Sequence, residues 1–182
     1  MSLSKIEKRA EKWLKHPFSK ETQSKVKELY KSQELLEDCF YKDLEFGTGG
    51  MRGIMGVGTN RVNQYTLGKN TQGICNYLNK TEEGNIKVAI AYDCRNNSKF
   101  FAEIVANVFS ANKIKAYIFS ELRPTPELSF ALKELGCSCG IVLTASHNPP
   151  EYNGYKVYWK DGGQIVPPVD KKLIKEINEV SF

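Results

Sequence analysis

The chain has 182 residues, 41% of them hydrophobic and 26% charged, an ordinary composition for a globular protein large enough to bury one core. Its formal net charge of +5 comes from scattered lysines without an aromatic-interleaved basic stripe, so no nucleic-acid partner is expected. No run approaches about 18 apolar residues and the amino terminus lacks a hydrophobic signal core, so no membrane partner is expected and a soluble, cytoplasmic protein is. Cys39, Cys75, Cys94, Cys137 and Cys139 form no CxxC pair, and an odd count without a framework predicts reduced, mostly buried thiols. Only His16 and His147 could complete a zinc set, which argues against zinc.

In chain order, residues 4 to about 42 read as helical. Ile6, Ala10, Trp13 and Leu14 share one face, and Pro17 breaks the run. Val26, Leu29 and Tyr30 mark a second helix, and Leu35, Leu36, Cys39 and Phe40 a third short apolar face. This segment is expected to be a helical cap packed on the rest of the chain, with residues 1–43 as an amino-terminal extension and 44–182 as the main domain. The stretch from Leu44 to Gly58 then carries six glycines and Arg52. Glycines allow positive φ and a close backbone approach, and N–H groups beside an arginine fork suit a cluster of anionic oxygens. The alternative is a flexible hairpin with Arg52 on its surface. Without a Gly-Lys-Ser/Thr ending the stretch is not a P-loop, and with Arg52 at the third glycine position it is not a dinucleotide fingerprint.

Asn63 is placed to cap a helix whose inner face is Leu67, Thr71, Ile74, Cys75 and Leu78. Lys87 to Tyr92 reads as a buried strand, followed by a polar loop containing Asp93 and Arg95. Ser98 is expected to cap a helix facing inward with Phe101, Ile104, Val105, Val108 and Phe109. Lys115 to Phe119 is a second strand, and Thr125 an N-cap with Pro126 at the first helical position. That helix runs to about Leu135, where Gly136 stops it. Ile141-Val142-Leu143 reads as a strand buried on both faces that ends near Thr144. Tyr155 to Trp159 is a further strand, turned back by Asp161-Gly162-Gly163 into Ile165-Val166. Pro167-Pro168 precedes a last helix from Val169 to Asn178.

Strand, helix, strand, helix, strand at this spacing predicts two βαβ units. The expected fold class is α/β: a three-layer α/β/α domain with a mainly parallel sheet, preceded by the helical extension. Ligands of such sheets bind outside the carboxyl ends of the strands. Two polar loops meet there, one with Asp93 and Arg95, the other with Ser146, His147 and Asn148. A serine in that position can be a nucleophile, with His147 or Lys156 as proton carrier. The plainer alternative is a polar turn whose Ser and Asn bond their own backbone. A serine hydrolase is rejected, because the Gly-x-Ser-x-Gly elbow is missing.

Gly47-Thr48-Gly49-Gly50-Met51-Arg52-Gly53 and Thr144-Ala145-Ser146-His147-Asn148-Pro149-Pro150, with Asn153-Gly154-Tyr155-Lys156, resemble the phosphoglucomutase/phosphomannomutase family of α-D-phosphohexomutases. The form of the glycine stretch after a helical extension is most similar to the branch that holds phosphoglucomutase-2 and phosphopentomutase-like enzymes. The resemblance implies that Ser146 is a phosphoserine, that His147 and Lys156 transfer protons, and that Arg52 lies near the phosphate. Thr48, Gly49, Gly50, Asn148 and Arg95 are the further candidates for binding substrate phosphate. It also implies Mg²⁺, with Ser146 contributing through its phosphate, a hexose phosphate substrate and a glucose 1,6-bisphosphate-type activator. The family's Asp-x-Asp-x-Asp metal loop has no counterpart here. The chain is therefore expected to be the first of four domains, inactive alone and completed by downstream domains of the same polypeptide. The competing expectation is a one-domain module that binds a sugar phosphate without turnover.

Overall fold

The computed structural model describes residues 3–181; the expected outer bounds at residues 1 and 182 lie outside them. The described residues begin with α1 (Leu3–Lys12), α2 (Lys20–Leu29) and α3 (Gln33–Phe40). Ser19 and Ser32 cap the second and third helices, each accepting a backbone N–H three residues on, which satisfies donors the helix itself cannot. Ile6, Ala10, Trp13, Phe18, Val26, Leu36, Cys39 and Phe40 form one apolar cluster, against which Val57 and Tyr65 of the following segment pack. Trp13 stacks on Phe18 with ring centroids 4.4 Å apart. An Arg61–Asp38 ion pair ties α3 to the same segment. Tyr30 and Leu35, expected on the inner faces, are instead 42% and 54% exposed. Tyr30 is the residue that caps the end of α2. Leu35 lies about 100° around the helix from Leu36, so only one of the two can face the core.

The remaining elements are β1 (Gly50–Ile54), α4 (Gln64–Thr81), β2 (Lys87–Tyr92), α5 (Ser98–Ala111), β3 (Lys115–Ile118), α6 (Thr125–Glu134), β4 (Cys139–Leu143), β5 (Tyr152–Trp159) and α7 (Val169–Glu179). They form one sheet in the order β1-β5-β4-β2-β3. β2 is parallel to β3 and β4, while β5 is antiparallel to both β4 and β1. Four of these five strands therefore run in one direction, with β5 reversed between two of them. Both faces of its parallel strands β2 and β4 are covered, as parallel strands require. Val88, Ile90, Ile141 and Leu143 point into a cluster with α4, α5 and α7. The alternate residues Ala89, Ala91 and Val142 pack with Leu128 and Leu132 of α6. Within α4 the five residues expected inside are all buried, and Asn63 accepts from the N–H groups of Tyr65 and Thr66.

Several local expectations shift. Gly50–Ile54 is an edge strand rather than a loop, because β5 supplies backbone partners that the glycine-rich sequence does not advertise. β1 occupies the free edge of β5 as far as Lys156, so the return of residues 164–166 is reduced to a single bridge, Tyr158 with Gln164. Asn97, at φ 64°, stands at the start of α5 in place of Ser98, and Pro124 stands at the start of α6 in place of Thr125. No described helix is long and apolar enough to cross a membrane.

Four cysteines are buried and Cys94 is exposed. Burial pushes the Cys75 thiol up to about 12 and raises those of Cys39, Cys137 and Cys139. Unfolded thiols ionise near about 8.5, so the folded state holds these protons to higher pH than the unfolded chain does. Their contribution is complete below that value and is lost as pH rises towards the folded pKa. The thermal midpoint should therefore fall steadily between about pH 9 and 11. Iodoacetamide at pH 8 should label Cys94 alone until denaturant is added, as peptide mapping would show.

Candidate active site

β4 delivers its chain to the rim of the sheet, where Thr144 is buried and Ser146 and His147 are exposed. Ser146 adopts φ 57°, a left-handed conformation that costs a non-glycine residue on the order of 1–3 kcal/mol unless its surroundings hold it. Its N–H donates to Thr144 Oγ1 at 3.0 Å, and its Oγ lies 3.4 Å from His147 Nδ1. The holding group is Arg95. One of its terminal nitrogens donates to the carbonyls of Ser146 (2.7 Å) and Asn148 (2.5 Å). The other donates to those of Pro149 (2.9 Å) and Tyr152 (3.2 Å).

Arg95 is itself fixed from behind. Asp93 accepts from the Arg95 N–H at 3.0 Å and from the Ser98 hydroxyl at 2.9 Å. Fully buried Asn153 donates to Ser98 Oγ and to the Asn96 carbonyl, both at 3.0 Å, and accepts from the Gly154 N–H at 2.8 Å. The loop after β2, the start of α5 and the serine loop thus form one hydrogen-bonded unit. The displaced cap is explained here, since the Ser98 hydroxyl is engaged by Asp93 and Asn153 rather than by its own helix.

The glycine segment makes the second half of the site. Gly47 and Gly50 exchange backbone hydrogen bonds of 2.9 and 3.2 Å around a tight turn. The Gly49 carbonyl accepts from the Val157 N–H and from Gln164 Nε2. Among the described residues, the N–H groups of Thr48 and Gly49 find no acceptor. Gly50, at φ 137°, has no room for a side chain, because a Cβ there would collide with the Tyr155 carbonyl. Gly50 pairs with Lys156 and Arg52 with Gly154, so Arg52 and Lys156 stand diagonally on one sheet face, about 7–8 Å apart. They line a depression of about 490 Å³ with Thr144, Gln164 and the Gly47–Gly50 turn.

The fold therefore brings Arg52, Lys156, Thr48, Gly49 and Gly50 into one depression, with Ser146, His147 and Asn148 on the loop that starts at its Thr144 wall. Two of the expected residues have their side chains engaged within the chain. Arg95 does not present its terminal nitrogens to a ligand, because four carbonyls take them. The Thr48 hydroxyl donates to the buried Asp170 at the start of α7, at 3.1 Å, so Thr48 offers its N–H rather than its side chain. Sequence reasoning misses Asp170 and Asn153 as organisers, since buried polar residues disturb hydrophobic periodicity without announcing a partner.

Residues 43–182 match the family described as phosphoglucomutase/phosphomannomutase, alpha/beta/alpha domain I. The chain belongs to that family. Phosphopentomutase of Homo sapiens is 37% identical over 97% of the chain. Phosphoglucomutase of Staphylococcus aureus strain RF122 is 42% identical over 86% of it. The chain spans 30% and 29% of the length of these two relatives. Among solved structures, one from Thermus thermophilus, assigned as a phosphomannomutase, superposes with a TM-score of 0.69 at 29% identity, over 75% of this chain and 30% of its own. The open form of parafusin from Paramecium gives 0.67 at 22% identity over 78% of this chain and 26% of its own, a likeness of fold alone.

For this mutase-family domain the Arg95 clamp generates a direct test. Arg95→Ala leaves four loop carbonyls without their charged donor and should cost about 1.5–3 kcal/mol, read as a lower urea midpoint. Amide exchange of residues 146–152 should accelerate well beyond that of β2 and β4, whose ladders do not use Arg95.

Proposed function

We propose that this domain carries the phosphoryl group of a sugar-phosphate mutase, with Ser146 as carrier and hexose phosphate as substrate. The observation that supports it is an exposed serine held in left-handed backbone at a strand end, beside a depression lined by Arg52, Lys156 and two unpaired N–H groups. In the forward half-reaction the bond from phosphorus to Ser146 Oγ breaks while a sugar hydroxyl bonds to phosphorus. The hydroxyl proton passes to a base, and Ser146 is left with its hydroxyl reprotonated. The bisphosphate formed at C1 and C6 then returns its other phosphoryl group to Ser146. His147, whose Nδ1 is 3.4 Å from Ser146 Oγ, and Lys156 are the proton carriers of this reading. A phosphoserine brings about −1.5 to −2 charges near pH 7. Arg52, Lys156 and the Thr48–Gly49 N–H groups are the donors available to offset it.

The described residues do not fit Mg²⁺ on their own. No three His, Cys, Asp or Glu side chains group closely enough to hold a metal ion among them. The Asp93 carboxylate already accepts from Arg95 and Ser98. Phosphorylated Ser146 is thus the oxygen ligand this domain offers, and no step here is routed through the metal. Mg²⁺, the bisphosphate activator and sugar recognition are assigned to the complete polypeptide, whose downstream domains are this domain's partners.

A pentose phosphate is the second reading for the substrate. It is favoured by the identity to human phosphopentomutase, which runs through the helical extension to cover 97% of the chain. The two separate in a coupled assay of the complete enzyme with glucose 1-phosphate, mannose 1-phosphate and ribose 1-phosphate. Ser146→Ala should abolish turnover of whichever is used, and with it the 80-dalton adduct that mass spectrometry should map to Ser146. Retained turnover in that variant would refute the carrier assignment. Arg52→Ala should keep the fold and lower turnover about 10²–10³-fold, the usual loss for one preorganised donor. The isolated chain should unfold cooperatively yet show no turnover, because orientation by the remaining walls is worth roughly 7–11 kcal/mol of barrier.

A further inference from the structure

The glycine turn of the proposed phosphoryl site is a two-residue loop. Gly47 and Gly50 exchange both backbone hydrogen bonds across it, with Thr48 and Gly49 between them. Gly49 stands at φ 87° while Thr48 is not among the residues of positive φ, the combination a type II turn requires. Two-residue hairpins favour the mirror-image turns, whose twist matches the strands, so this conformation needs support beyond its own hydrogen bonds. Types I and II differ by a flip of the middle peptide, here Thr48–Gly49, and glycine accepts either φ. Among the described residues neither the carbonyl nor the N–H of that peptide makes a backbone hydrogen bond. A flip would put the Thr48 carbonyl where the Gly49 N–H now stands, an acceptor in place of a donor.

The Gly49 carbonyl is held by the Val157 N–H at 2.9 Å and by Gln164 Nε2 at 3.0 Å. Those bonds fix the peptide after Gly49, not the one before it. The one before it is held through the Thr48 side chain, whose hydroxyl donates to Asp170 Oδ2 at 3.1 Å. Asp170 is 3% exposed and forms no ion pair among the described residues. Its Oδ1 accepts from the Lys171 N–H at 2.7 Å. A helix-end explanation covers that second bond, since an acid in the first turn of α7 meets the positive end of the helix. It does not account for a carboxylate buried without a countercharge, which is costly. Nor does it explain why the other oxygen turns to an exposed threonine 122 residues upstream.

We propose that Asp170 is a positioning residue for the anion site, holding Thr48 so that the Thr48–Gly49 peptide presents its N–H rather than its carbonyl to a phosphoryl group. This rests on the phosphoryl role proposed above for the depression that the turn lines. Asp170 itself touches no substrate in this arrangement and acts through Thr48.

The test uses the ¹⁵N-labelled 182-residue chain and two readouts, one of which needs no ligand. The NOE between Thr48 Hα and the Gly49 N–H is strong in a type II turn and weak in a type I turn. It should be strong in the unaltered chain, weaken in Thr48→Val and return in Thr48→Ser, which restores the hydroxyl. Asp170→Ala should weaken it too. That variant also takes an acid from the first turn of α7, so Thr48→Val, which leaves α7 intact, keeps the test independent of helix stability. Titration with inorganic phosphate should give saturable shifts at Thr48 and Gly49. Binding should be about tenfold weaker in Thr48→Val and Asp170→Ala, as when the competent state falls to about a tenth of the population, and recover in Thr48→Ser. A purely structural role would lower the thermal midpoint and leave the NOE and the phosphate affinity unchanged. That result, a weak NOE in the unaltered chain, or failure of Thr48→Ser to restore both readouts would overturn the proposal and leave the phosphoryl reading standing. A strong NOE without saturable shifts in the unaltered chain would instead overturn the phosphoryl reading, and the proposal with it.

Discussion

The approach of β1 to β5 at Gly50 is the constraint on which the site depends. Paired strands normally run about 5 Å apart, and here the turn folds down over β5 until only hydrogen fits against the Tyr155 carbonyl. Glycine loses more chain entropy on ordering than other residues, and the β1–β5 ladder offsets that loss. The same constraint recurs at Gly154, where a Cβ would stand 2.6 Å from the Thr144 carbonyl and 2.9 Å from that of Met51. With both positions bare, Arg52 and Lys156 reach one face of the sheet close to the end of β4.

That face is also the thinly covered one. α4, α5 and α7 bury the other side of the sheet in a large cluster, whereas α6 covers β2 and β4 with a small one. Arg52, Gly154 and Lys156 of β1 and β5 lie on the α6 side but beyond that helix. Charged groups there remain hydrated while the rigid core holds their backbones. Precision comes from the sheet and access from the missing layer.

The serine loop solves a different problem. A loop with two prolines and a left-handed serine has few backbone partners of its own, and exposed carbonyls would let it fluctuate. The Arg95 guanidinium gathers four of them into one planar fork, and Asp93 with Ser98 and Asn153 keeps that fork in place. Strain at Ser146 is thus balanced by charge-assisted hydrogen bonds rather than relieved. The hydroxyl stays exposed while its position is defined.

Helices and buried strands were legible from the chain itself. The α4 face from Leu67 to Leu78, the runs that became β2 and β4, and the strand-end placement of Ser146 all follow from periodicity and turn residues. Those signals act within four residues, where composition and spacing reveal them. β1 was not legible, because Gly50-Met51-Arg52-Gly53-Ile54 has weak strand character and owes its state to β5, about 100 residues away. Nor were the Thr48–Asp170 bond, 122 residues apart, and the true work of Arg95, 51 to 57 residues from its acceptors. Every residue carries a carbonyl, so an arginine that binds carbonyls leaves no mark on the sequence of its partners. The sequence by itself determined which segments are helices, which are buried strands and where the serine loop must fall. Only the tertiary structure decided which side chains hold that loop and which are left for a ligand, because that choice rests on backbone atoms that topology alone brings together.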